Sequence, residues 1–302
     1  MGQPGRISII INPGSGSRLP HRQKHAIRDY FNALGQAPGI HETVERSDVQ
    51  EFIRSEWERG SRFFVVAGGD GTINTVASRL IGSEALLMIL PTGSGNGLAR
   101  HLGIPTQLKK ALHVYEDYKV KQIDCGFMND IPFFCTAGVG FDAEVAHRFA
   151  QKGRRGLATY LETLIQEYWK YKPQEFTIEY SGHILKPRSF LITFANSAQY
   201  GNNAFISPDA QIDDGLLDMC LISEFPQNLG PILGLKVITR KISSSSHYEM
   251  VRLKEAIVRR HRSGWAHFDG EPVHLAETLR FRVLPSALKI CIPANSGRKP
   301  SQ

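Results

Sequence analysis

The sequence predicts an α/β protein of two domains, an N-terminal α/β domain on a mostly parallel sheet and a C-terminal antiparallel, β-sandwich-like domain. Three observations predict it. Strand-like and helix-like segments alternate over the first third of the chain, short strands dominate after Gln122, and glycine-rich turns follow three of the early strands. The length of 302 residues fits two domains better than one. The expected partition is residues 1–122, with a returning strand in 279–302, and residues 123–278.

The elements follow in chain order. Ile7–Asn12 is a short β-branched run ended by Pro13-Gly14, and a helix is expected over His21–Leu34. A second strand falls near Ile40–Glu45. Ser47 and Gln50 form a capping-box pattern that opens a helix stopping before Gly60. Arg62–Ala67 is an unbroken apolar strand, Ile73–Ile81 the helix after it, and Leu86–Leu90 a fourth strand. Continuous apolar strands alternating with helices are the mark of a parallel sheet covered on both faces. Farther along, strands are expected at Ile131–Thr136, Phe176–Tyr180, Ile184–Ala195, Leu216–Ile222, Tyr248–Val258 and Leu279–Ile290. Ser181-Gly182 and Asp269-Gly270 supply turns between them. Helices are expected near Ala143–Tyr171 and Asn228–Lys241, and Trp265–Phe268 reads as a strand whose aromatic residues pack.

Composition narrows the class. Hydrophobic residues make up 41% and charged residues 22%, as in an ordinary globular protein with a sizeable core. The net charge of +7 suits phosphate, nucleic acid or an anionic membrane without choosing among them. Cys125, Cys135, Cys220 and Cys291 are far apart and form neither a CxxC pair nor a disulfide framework. His25, His101, His113, His147 and His267 show no metal-ligand spacing, so surface or capping roles are expected of them. The Met1-Gly2 start resembles a myristoylation site, but Arg6 stands where Ser or Thr is wanted. No run approaches the roughly 20 apolar residues of a membrane span, so any membrane contact is expected to be peripheral.

The chemistry concentrates in the glycine-rich turns. Val65–Thr72 (VVAGGDGT) runs from a buried strand through Gly68, Gly69, Asp70 and Gly71 into a helix. Glycines let backbone amides approach a phosphate, and a helix N-terminus adds partial positive charge. An aspartate there repels phosphate unless it meets a cation or handles a proton, which singles out Asp70. Leu90–Arg100 (LPTGSGNGLAR) repeats the strand–turn–helix arrangement, and Asn12–Gly16 (NPGSG) closes the first strand. Together these turns read as a three-sided phosphate cradle. The glycine spacing fits neither a Walker A loop nor a dinucleotide fingerprint.

Those turns, with Asp213–Asp218 (DDGLLD) and Asp269–Glu271 (DGE), resemble the diacylglycerol kinase catalytic-domain superfamily, which includes sphingosine and ceramide kinases and bacterial lipid kinases. The likeness spans nearly the whole chain, and GGDGT alone is shared with NAD kinases. It implies an ATP- and Mg²⁺-dependent kinase acting on a membrane lipid hydroxyl in a cleft between the domains. It implies nucleotide contacts from Asn12, Ser15, Gly16, Thr43, Gly68, Gly69, Asp70, Gly71, Thr72, Asn74, Ser94 and Asn96. It implies a Mg²⁺ site of Asp214 with backbone carbonyls near Gln211 and Leu216, and Glu271 as general base, with Asp70 holding the metal or sharing the proton. The base role stays open between the two acids.

Gly93–Gly97 (GSGNG) departs from the Gly-Thr-x-Asn-Asp of many bacterial diacylglycerol kinases and is closer to sphingosine kinases. The acceptor is therefore diacylglycerol or a sphingoid base. Asp142, in Gly138–Glu144, is either the acid for a lipid amine or a helix cap. Arg148, Lys152, Arg154 and Arg155 precede the apolar Leu157–Tyr171, a pattern for docking on an anionic bilayer or for a solvated helix face. The expected setting is cytoplasmic and peripheral at the inner membrane surface. The expected partners are the lipid and its membrane, not nucleic acid. A homodimer fits bacterial relatives, although no segment marks an interface. The rival readings are an NAD-kinase-like enzyme and a non-catalytic lipid- or nucleotide-binding protein.

Overall fold

The structure is a computed structural model that describes residues 5–13, 21–43, 46–153 and 156–295. Two compact units divide the chain, residues 1–123 with 286–302 and residues 124–285.

In the first unit, β1 (Ile7–Ile11), α1 (His21–Ala33), β2 (Gly39–Glu42), α2 (Arg46–Glu58), β3 (Phe63–Gly68), α3 (Asp70–Leu80) and β4 (Leu86–Pro91) alternate. Every residue of β1 and β3 is buried, because helices cover both faces of the sheet. The strands are parallel in the order β2-β1-β3-β4. Two short helices follow, α4 (Gly97–His101) and α5 (Leu108–Leu112). Phe31, Phe63, Ile9, Val65 and Met88 lie in a core that Cys291 joins from the end of the chain. The helix expected to open on a Ser47 cap begins one residue earlier, at Arg46.

After β5 (Tyr118–Met128) the pairing becomes antiparallel, with β6 (Ile131–Phe133), β7 (Thr136–Gly140), β8 (Gln174–Tyr180), β9 (His183–Leu185) and β10 (Arg188–Ala195). The helices α6 (Phe141–Gln151) and α7 (Leu157–Tyr168) lie between β7 and β8 in sequence. A small pair, β11 (Gln199–Gly201) and β12 (Ala204–Phe205), precedes β13 (Leu217–Ser223), α8 (Gly230–Ile238), β14 (Tyr248–Leu253) and β15 (Glu255–Arg260). Then come β16 (Gly264–Phe268), β17 (Glu271–Leu275) and the long β18 (Thr278–Pro293). Thr278–Arg282 pair with β15, whereas Lys289 and Ile290 pair in parallel with β4 in the first unit.

Four predicted elements are divided. The strand expected over 131–136 ends at Phe133 and resumes at Thr136 as β7, after the two residues whose amides Asp269 holds. The helix expected over 143–171 is two helices, since Gly153 (φ 64°) and Gly156 (φ 117°) adopt backbone that a helix excludes. The strand expected over 184–195 breaks at Pro187, which has no N–H for a ladder. The strand expected over 248–258 changes partners at Lys254, with β14 on β13 and β15 on β8.

Two cores hold the second unit. Phe133, Phe176, Phe194 and Phe281 anchor one within the sheet, with Phe194 and Phe281 stacked at 3.8 Å. The other packs α6, α7 and α8 onto the strands through Phe141, Phe190, Leu233 and Tyr248. Among the described residues no helix is long and apolar enough to cross a membrane.

Candidate active site

The strand order of the first unit reverses direction between β1 and β3, and such switch points are where open parallel sheets bind ligands. Asn12, just past β1, donates from Nδ2 to Thr72 Oγ1 at 2.8 Å on the first turn of α3. Gly68 must lack a side chain, because a Cβ there would lie 2.5 Å from Thr72 Cβ. The two glycine turns touch each other: a Cβ on Gly93 would lie 2.5 Å from Gly69 Cα. Backbone lying this bare and close is what a phosphate cradle requires. The helix geometry also leaves the amides of Gly71 and Thr72 without intrahelical acceptors at the positive end of α3.

Asp70 ties the two turns together. Its Oδ2 accepts the Asn96 N–H at 2.8 Å and its Oδ1 accepts the Gly97 N–H at 2.7 Å. Both carboxylate oxygens are thus engaged at the start of α4. Asn96 adopts the left-handed conformation (φ 51°) and brackets Gly93, accepting its N–H at 3.0 Å and donating to its carbonyl at 2.8 Å. Buried in this way, Asn96 shapes the turn. Ser94 sits exposed at the tip. Thr43 is buried beside the end of β1 and donates its N–H to Ile11. Asn74 is buried one turn into α3, with its carbonyl accepting from Ser78. Ser15 and Gly16 lie outside the described residues, as do Arg154 and Arg155.

In the second unit, Asp269 (φ 47°) and Gly270 (φ 83°) form the two-residue turn from β16 to β17. The Asp269 carboxylate accepts three amides, from Phe134 (2.9 Å), Cys135 (2.7 Å) and Thr136 (3.1 Å), and its own N–H donates to Thr136 at 2.7 Å. Glu271, the first residue of β17 and half-buried, is therefore presented on a turn tied down by four hydrogen bonds of Asp269.

One strand residue earlier than Phe268 lies His267, only 2% exposed, so the surface or capping role expected of it is corrected. Its Nε2 lies 3.0 Å from Asp142 Oδ2, and its Nδ1 is buried with no hydrogen-bond partner. Asp142 also receives the hydroxyls of Thr193 and Tyr200 and the Ala143 N–H. Gly140, the residue before α6, offers no capping side chain, so the first-turn amide of Ala143 is met by Asp142 from within the helix. Burial and then the Asp142 charge push the Tyr160 hydroxyl up to about 12 and that of Tyr200 well above its ordinary value. Trp265, on the same strand, stacks on His147 at 3.6 Å.

The 211–216 loop is held from beneath by Asp124, a residue the motifs do not include. Asp124 is 1% exposed, donates its N–H to the Ile212 carbonyl and accepts the Gly215 N–H at 2.7 Å. Asn196 donates to the carbonyls of both Asp124 and Phe134, which links this loop to the segment gripping Asp269. Asp214 is exposed and accepts the Leu216 N–H on Oδ1 at 3.0 Å, and Gln211 is exposed beside it. Among the described residues no group of three acidic, His or Cys side chains is placed to hold a metal. One exposed carboxylate with backbone carbonyls fits a Mg²⁺ that keeps most of its water and does not fit a dehydrated cage.

A parallel sheet with paired glycine turns at its switch point, followed by an antiparallel domain presenting a fixed acid, is the architecture of a lipid-kinase-like protein. Residues 6–128 match the diacylglycerol kinase catalytic domain, and residues 135–292 match the YegS C-terminal NAD kinase beta sandwich-like domain. The chain belongs to this YegS-type diacylglycerol kinase family. It is 26% identical to a protein of Chromohalobacter salexigens named "Probable lipid kinase YegS-like", over 97% of this chain and 95% of that one. An uncharacterised protein of Synechocystis is 29% identical over 78% of this chain, which covers 57% of the relative's length. The fold matches the crystal structure of a diacylglycerol kinase from Bacillus anthracis with a TM-score of 0.75 at 18% identity, over 97% of this chain and 98% of that one.

Proposed function

We propose that this protein is a kinase that transfers the γ-phosphoryl group of ATP to the hydroxyl of a diacylglycerol. The observation that carries the reading is the Asp269–Glu271 turn, where three amide bonds to Asp269 hold a half-buried carboxylate in place. In this reading the acceptor oxygen attacks the γ-phosphorus, the bond to the bridging oxygen of ADP breaks, and Glu271 takes the hydroxyl proton. Phosphoryl transfer needs chiefly positioning and neutralisation of charge, which glycine turns and a helix N-terminus supply. Asp70 is assigned to holding the two turns in register, since both its oxygens already accept amides. Asp214, with carbonyls of Gln211 and Leu216, would hold a hydrated Mg²⁺, which contributes charge neutralisation when bound.

A neutral lipid is favoured over a sphingoid base by the state of Asp142. The acid that would hold a lipid ammonium already has His267, Thr193, Tyr200 and the Ala143 amide around it. A cation there would have to displace those partners. The test is transfer of radiolabel from ATP, with Mg²⁺, to diacylglycerol, sphingosine, ceramide or NAD in mixed micelles. Label in diacylglycerol is expected. Label in sphingosine alone would reverse the choice of acceptor, and label in NAD alone would overturn the lipid reading.

A further inference from the structure

Helices α7 and α8 bury one face each in the second core, through Tyr160, Leu164 and Tyr168 on α7 and Leu233 and Val237 on α8. Their outer faces are also apolar. On α7 and the residue after it, Leu157, Leu161, Ile165 and Trp169 recur every four residues, which aligns them in one stripe, and they are 45% to 59% exposed. On α8, Ile232, Leu235 and Ile238 are 52% to 60% exposed. The two stripes belong to one body, because the Tyr168 hydroxyl donates to the Gln227 carbonyl and its ring fills the space beside Gly230. Single exposed apolar residues need no explanation, but seven of them on two helices that Tyr168 joins mark an interaction surface.

The charge beside α8 selects its occupant, whereas beside α7 the cations Arg148, Lys152 and Lys170 are already paired with Glu162 and Glu167. No acidic residue occurs between Glu224 and Glu249, whereas Lys236, Arg240 and Lys241 cluster at the end of α8. Lys236 meets only the Ser244 carbonyl and Arg240 lies over the Phe205 ring, so neither cation is neutralised by a carboxylate in the described contacts. Apolar side chains that enter the acyl boundary, with cations at headgroup level, are how a helix lies on an anionic bilayer. Trp169 has the amphipathic character favoured at that boundary. We propose that the outer faces of α7 and α8 form a docking surface for anionic lipid bilayers. The surface stands apart from the residues of the transfer reaction and does not require the kinase reading, although a kinase for a bilayer lipid would need such a surface.

The test is flotation of the full-length protein with vesicles of phosphatidylcholine alone or with phosphatidylglycerol, in the absence of nucleotide. The wild type is expected to float with the anionic vesicles and to be released by salt. The double variants Ile232→Glu/Leu235→Glu and Leu161→Glu/Ile165→Glu are expected to lose at least tenfold in vesicle binding. Because these side chains point to solvent, their melting temperatures should match the wild type, and so should transfer to a short-chain acceptor below its micelle concentration. Lys236→Gln/Arg240→Gln/Lys241→Gln should lose the preference for phosphatidylglycerol. Wild-type protein that ignores anionic vesicles, or variants that bind them undiminished, would overturn the proposal. So would variants that turn a dimer into a monomer with vesicle binding intact, since the face would then be an interface between two copies.

Discussion

At the scale of single residues, Glu271 and Asp269 divide the work of one turn. Glu271→Gln keeps the side chain's size and removes its basicity, so transfer should fall by orders of magnitude while the melting temperature stays put. Asp269→Ala strips three buried amides of their acceptor and should destabilise the second unit by about 3 kcal/mol as well as slow transfer. Thermal melts beside rate measurements separate the two, and a fully active Glu271→Gln protein would remove the base assignment. Asp70→Asn tests the other acid. An amide offers only one acceptor oxygen to the two N–H groups that Asp70 binds, so the second glycine turn should loosen. The expected result is a raised KM for ATP with a smaller change in kcat. A collapse of kcat at unchanged KM would assign Asp70 to the chemistry instead.

At the scale of elements, α2 is pinned to β1 by Glu56, whose side chain is 1% exposed. It accepts Arg6 Nε at 2.7 Å, Ser8 Oγ at 2.7 Å and Arg59 Nη1 at 2.9 Å. Burial pushes its carboxyl up, but these hydrogen bonds and the Arg6 charge outweigh burial and hold it below its ordinary value of 4.5. A depressed carboxyl in the folded state gives stability that is present above the unfolded value and lost as pH falls through the folded one. Melting temperature should therefore drop as the wild type is taken from about pH 6 to about pH 3, and Glu56→Gln should be less stable at the top of that range with a flatter profile. Equal slopes for the two proteins would exclude Glu56 as a contributor to acid sensitivity. The elements themselves were mostly legible, because the apolar runs of β1, β3 and β4 and the glycines after them are local signals. Legibility failed at Gly153, Gly156 and Lys254, where backbone turns and a change of strand partner interrupt an otherwise continuous pattern.

At the scale of the whole molecule, all four cysteines are buried and none forms a disulfide. Burial pushes the thiols of Cys125 and Cys291 far up and that of Cys220 up to about 12, so none of these three is a ready thiolate nucleophile. The melting temperature should be the same with and without reductant, and thiol reagents should label the native protein only on unfolding; fast labelling of the native protein would contradict this burial. The end of the chain also acts at this scale. Cys291 and its neighbours complete the core of the first unit, so truncation before Lys289 would open the sheet beside β4.

The sequence by itself determined the alternation of strands and helices from β1 to β4, the glycine turns, the Asp269-Gly270 hairpin and the identity of Glu271 as the acid following it, but not β5 or the β11–β12 pair. The features it determined follow from backbone preferences and apolar periodicity, which act over a few residues. Only the tertiary structure decided what the acids touch. Asp70 meets amides 26 and 27 residues away, Asp269 meets Phe134 across 135 residues, and Asp142 meets His267 across 125. Asp124 and Asn196 carry no motif at all, yet they hold the loop of Asp214 and the segment that grips Asp269. Such partnerships depend on which strands lie side by side and in what register, and that is settled by the packing of distant segments into a common core.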